Sequence, residues 1–95
     1  MISKEKYLKE FEFQLNEWSL RLDNLQVLYD CAENSQKNRI NGEMDAMWNN
    51  FHTVRSTYDE ICRSNDAHWM AFVDRANDRW HTLKLSYLST LLLFK

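Results

Sequence analysis

Three histidines and two cysteines are the side chains with the most chemistry to offer in this 95-residue sequence, and their spacing decides whether they can act together. Asp78-Arg-Trp-His81 sets a carboxylate three residues before an imidazole, the pairing with which di-iron helical bundles hold metal from several helices. Such a site needs a second copy of the pair and further inward carboxylates. The sequence has one copy, so a solvated helix face is expected. His52, Ser56 and Asp59 supply the residue types of a hydrolytic triad along one flank of a helix. A triad needs its acid hydrogen-bonded to the histidine. Seven residues span about 10 Å of helix, too far for Asp59 to orient His52, and a polar flank is the expectation. Cys31 and Cys62 lack metal-ligand spacing. They would meet only if the chain turned near residues 46 and 47, where Asp45-Ala-Met-Trp-Asn-Asn50 gives no turn signal, so free thiols are expected. A single glycine, Gly42, cannot build a phosphate-binding loop. No catalytic, cofactor-binding or metal-binding residue is assigned, and the chain reads as a non-enzyme with no evident small-molecule substrate.

The stretch HWMAFVDRANDRWHTL, residues 68–83, places a histidine beside each of two tryptophans. Trp69 and Trp80 are eleven residues apart, close to three turns at 3.6 residues per turn. They share one helix face with Phe72, Ala76, Leu83 and Tyr87, which marks them as packing groups. His68 and His81, thirteen apart, are turned onto different sides and cannot share one metal ion within that helix. The elements that position all these residues must be helical. With no proline and one glycine, the chain lacks the turn residues that repeated hairpins require. Twelve Lys and Arg against fourteen Asp and Glu leave a formal charge of -2, without the basic stripe of a nucleic-acid binder. The opening MISKEKYL lacks the apolar stretch of a signal peptide, and no run reaches the ~18 apolar residues of a membrane span. A cytoplasmic protein is the expectation.

Residues 1–95 read as a single all-helical domain. Leu8, Phe11, Leu15, Trp18, Leu22, Leu25, Tyr29 and Ala32 alternate steps of three and four, the spacing of a coiled-coil seam. The pattern lapses over residues 33–43, where Asn41-Gly42 offers a helix stop. It resumes with Met44, Met47, Phe51, Val54, Tyr58 and Ile61, then meets three capping residues, Ser64-Asn65-Asp66. From Trp69 onward the apolar residues repeat every eleven positions, the period of a nearly straight helix. A turn near Gly42 would pair Leu25 with Tyr58 and Leu22 with Ile61. A turn near Asn65 would pair Ile61 with Trp69 and Val54 with Ala76. The spacing predicts an all-α, antiparallel, coiled-coil-like bundle of three helices, 3–39, 43–63 and 66–94, favoured over one long helical hairpin. Trp18, Trp69 and Trp80 should be buried and Trp48 half-buried, with Met44 and Met47 filling core gaps.

KEKYLKEFEFQLNEWSLRLDNLQ near the start and NDAHWMAFVDRANDRWHTLKLSY near the end resemble a family of short bacterial helical proteins. Its members are described as coiled-coil domain-containing or stress-response proteins, some likened to apolipoprotein helices. The likeness lies in Leu15-Asn-Glu-Trp18, Leu22 and Leu25, and in Ala67, Trp69, Trp80 and Leu83. It implies a bacterial, non-enzymatic, helical protein and no catalytic residues. The chain departs from such relatives in its 14% aromatic content and in Asn41-Gly42.

The last helix carries the expectation about function. Trp80, Leu83, Tyr87, Leu91 and Phe94 form a stripe that can pack on the other two helices. Leu85, Leu88 and Leu92 form another, separated from it by the hydroxyl strip of Thr82, Ser86, Ser89 and Thr90. A helix apolar on two sides needs two neighbours or lipid. Leu85, Leu88 and Leu92 are therefore expected to line the interface of a homo-oligomer, a dimer first of all. An anionic membrane surface is the alternative partner, since residues 79–95 hold three basic and no acidic side chains.

Overall fold

A computed structural model describes residues 3–94, and among these the chain forms three α-helices and no strand. They are α1 (Lys4–Asp30), α2 (Asn34–Arg63) and α3 (Val73–Leu92), with one turn of 3-10 helix, Trp69–Phe72, leading into α3. The expected all-α bundle of three helices is what the chain adopts. Ser3 starts α1, its hydroxyl accepting from the Lys6 backbone N–H at 3.1 Å, which satisfies one of the donors a helix start leaves open. Lys4 fixes that start against the far end of α2. Its ammonium donates to the carbonyls of Ser64 and Cys62, the groups left unpaired where a helix ends and where its dipole favours a cation.

Phe11, Trp18, Leu22 and Leu25 of α1 meet Ile40, Met44, Met47, Phe51, Val54 and Ile61 of α2 in one core. Ala76, Trp80 and Leu83 of α3 close it, with Trp69 from the 3-10 turn. Trp18, Trp69 and Trp80 are buried as expected, Trp48 is half-buried, and Met44 and Met47 are core residues. α1 and α3 run side by side in the same direction, because Phe11 stacks near Trp80 at 5.3 Å and Trp18 near Tyr87 at 5.2 Å. Seven residues further along one helix, the neighbour has also advanced by seven.

The first turn is not where the sequence places it. It falls at residues 31–33, and Asn41-Gly42 lies inside α2. The predicted bounds 3–39 and 43–63 are thus replaced by a shorter α1 and a longer α2. Burial decides this against the local signal. Glycine in a helix interior costs about 0.5–1 kcal/mol relative to alanine. Ile40 and Met44, one turn apart and both buried, each gain about 1.5–3 kcal/mol on leaving water. The helix runs on. The turn itself is held by tertiary contacts: the Tyr29 hydroxyl donates to Asn41 Oδ1 at 3.3 Å, and Trp48 Nε1 donates to Gln26 Oε1 at 2.9 Å. In consequence Tyr58 packs against Phe11, with ring centroids 5.4 Å apart, instead of Leu25.

The second turn is at Ser64–His68, as the capping residues suggest, but α3 begins at Val73 and not at residue 66. Asn65 is the reason, since its side chain accepts from the Ala67 N–H at 3.1 Å. That local turn competes with helix formation. The extra residues displace the expected pairing by about one helical turn. Arg75 now reaches Glu60 at 2.9 Å, and Arg79 donates to Thr57 Oγ1. Thr57 and Thr90 are wholly buried, so Thr90 belongs to the core and not to an outer hydroxyl strip. Each hydroxyl is satisfied by the carbonyl four residues before it, Thr53 at 3.0 Å and Ser86 at 2.8 Å.

Candidate interaction surface

The residues with chemical potential are dispersed by this fold. His52 and Ser56 line an outward hollow with Asn49, Thr53, Glu60 and Arg79. Asp59 lines a different groove, between α1 and α2, with Glu12, Leu15, Arg55 and Tyr58. The imidazole of His52 instead lies near the rings of Trp48 and Phe51, at 6.3 and 6.1 Å. His68 Nδ1 is engaged with Asn65 Oδ1 at 2.7 Å, while Asp78 and His81 are exposed. Among the described residues no three His, Cys, Asp or Glu side chains stand close enough to hold a metal ion. Cys31 and Cys62 are exposed free thiols at opposite ends of α2. Its thirty residues hold them about 45 Å apart at 1.5 Å per residue.

Charge is spent on joining helices. Glu60 on α2 takes Arg75 through one carboxylate oxygen at 2.9 Å and Arg79 through the other at 3.5 Å, both from α3. Arg79 is therefore directed at α2. In the groove between α1 and α2, burial pushes the Tyr58 hydroxyl above its ordinary value of 10.0, with Cys62 and Glu12 adding to the rise. Burial raises Tyr7 likewise.

The outer surface is asymmetric. α2 presents Asn38, Asn41, Asp45, Asn49, His52 and Ser56 outward, and none of the large exposed apolar side chains lies on it. α3 presents Leu85, Leu88 and Leu92, exposed to 53, 54 and 64%. The expected ridge is in place, with spacing of three and four on the side of α3 away from its buried stripe. α1 carries a ridge that the coiled-coil seam masked. Phe13, Leu20 and Val27, exposed to 63, 65 and 59%, recur every seven residues on the back of the helix. That heptad interval was the readable signal for them. Leu28 stands beside the end of this ridge, and Met70, on the 3-10 turn, lies apart from both.

No helix among the described residues is long and apolar enough to cross a membrane. Scattered exposed leucines need no explanation, but two ordered ridges on the outer sides of two helices, beside a third whose outer side is polar, do. Comparison with protein-family models, with curated proteins and with solved structures finds no match, so the surface itself carries the functional reading.

Proposed function

We propose that this chain is a non-catalytic helical interaction protein that self-associates, as a dimer, through a face containing Leu85, Leu88 and Leu92. The observation that carries this reading is the exposure of all three leucines on one outward stripe of α3. Full burial of a leucine contributes about 1.5–3 kcal/mol. With roughly half of each still in water, a second copy would recover about 1 kcal/mol per leucine, or on the order of 5 kcal/mol over two chains. The reading includes a cytoplasmic, stress-related role among short bacterial helical proteins, supported by the resemblance in residues 15–25 and 67–83.

An anionic membrane is the less supported partner. Of the basic residues that commend α3 to lipid, Arg79 is bound to Glu60 and Thr57, which leaves Lys84 on the described part of the helix. One ammonium is a weak attraction for a charged bilayer surface. The experiment is replacement of Leu85, Leu88 and Leu92 together by Gln, read by solution mass and far-ultraviolet circular dichroism. The expected product is a folded monomer from a dimeric parent. A parent that is monomeric and pellets with phosphatidylserine vesicles would overturn the reading in favour of lipid.

A further inference from the structure

Leu85, Leu88 and Leu92 alone expose on the order of 300 Å² per copy, well short of the ~800 Å² per partner that a specific interface buries. The association proposed above needs more surface than α3 supplies. The α1 ridge is the available complement. Adding Phe13, Leu20, Val27 and Leu28 brings the total to roughly 800 Å² per copy, which reaches that size.

The α3 ridge and the Phe13 end of the α1 ridge border one face. Glu10 and Gln14 line a surface hollow with Phe13, and the same two residues line the α1–α3 groove with Asn77 and Trp80. Leu88, eleven residues beyond Asn77, falls on the same stripe of α3. The ridges also stand at the same height. Phe11 beside Trp80 and Trp18 beside Tyr87 are both separated by 69 positions in the chain, so Leu20 is level with Ser89. Leu20 is the midpoint of the α1 ridge, and Leu88–Ser89 is the midpoint of the α3 ridge.

We propose that the α1–α3 face is an isologous interface on which a second copy docks antiparallel, about a two-fold axis crossing the helices at Leu20. This rests on the self-association reading and specifies its geometry. One axis at that height sets α1 on α1 and α3 on α3 of the second copy. Phe13 then meets Val27, Leu20 meets Leu20, and Leu85 meets Leu92, so both ends of each ridge and the centre of the α1 ridge find apolar partners, while Leu88 lies beside the axis opposite Ser89. Charge selects the same orientation. Antiparallel docking brings Lys9 opposite Asp30 of the second copy, whereas parallel docking would set Glu17 against Glu12 and Glu10 against Glu5 across the seam. Flanking charges on α1 are mixed, Lys6 and Arg21 with Glu10 and Glu17, which suits a protein partner better than an anionic bilayer.

Disulfide mapping tests the arrangement. In a background with Cys31→Ser and Cys62→Ser, the exposed positions are changed singly to give L20C, F13C and V27C, each checked for helicity and mass, then oxidised. The expected result is a covalent dimer from L20C alone, little from F13C or V27C alone, and a mixed dimer when F13C and V27C are combined. Efficient cross-linking of F13C and of V27C each with itself would establish a parallel dimer and overturn the proposed geometry, leaving self-association intact. A dimeric parent with no cross-link at any of the three sites would place the interface elsewhere and overturn it also. A monomeric parent would remove both this proposal and the reading beneath it.

Discussion

Replacing Gly42 with alanine should stabilise the protein, and the sign of the effect separates two chain paths. Gly42 is the ninth residue of α2, and no described residue, glycine included, has a positive φ. A methyl group built on it meets no atom within 4 Å, so the substitution adds no steric term. What remains is helix propensity and a less flexible unfolded chain, worth about 0.5–1 kcal/mol in favour of alanine. For a domain of this size 1 kcal/mol moves the melting midpoint by about 4–8 °C, and a rise of about 2–8 °C is expected. Thermal and urea unfolding followed by circular dichroism would measure it, with an unchanged urea slope showing that the native fold is kept. If Asn41-Gly42 were the left-handed end of a helix, the added Cβ would be strained by about 1–2 kcal/mol. A fall in the midpoint would therefore refute the continuous α2 and restore a turn at residues 41–42.

Trp69 is buried on the 3-10 turn with its ring 5.2 Å from Tyr7, so Trp69→Ala should cost about 3–5 kcal/mol; an unchanged urea midpoint would show that the turn does not close the core. Tyr7 and Tyr58 have hydroxyls raised above 10.0 in the folded chain, which means the native state holds these protons more tightly than the unfolded state. Their contribution is complete below pH 10 and is lost as pH climbs through the raised values. Urea midpoints measured upward from neutrality should fall only in that alkaline range, and Tyr7→Phe should make the fall shallower.

The heptad seams were legible because burial along a helix imposes its period on the sequence. Phe11, Trp18, Leu22 and Leu25 could be read directly, as could Met44 to Ile61. The first turn was not legible. Cys31-Ala-Glu33 contains no residue that favours a turn, while Asn41-Gly42 has the composition of one and lies in a helix. A turn whose position is set by the partners of Ile40 and Tyr29 leaves no local mark. Ser64-Asn65-Asp66 did mark the second turn, but a capping side chain can close a turn as well as open a helix, and Asn65 does the former. Leu85, Leu88 and Leu92 were visible because they fall off the stripe of Leu83, Tyr87 and Leu91 that one core face needs. The ridge of Phe13, Leu20 and Val27 was hidden by the stronger seam two positions away from it.

Sedimentation equilibrium of the unmodified protein, run over a wide concentration range at neutral pH, tests the central claim most directly. Self-association predicts a mass that rises from 11.5 kDa toward twice that value as concentration increases. A mass of 11.5 kDa at every concentration up to about 2 mM, roughly tenfold above the ~0.2 mM dissociation constant that corresponds to about 5 kcal/mol, would contradict it.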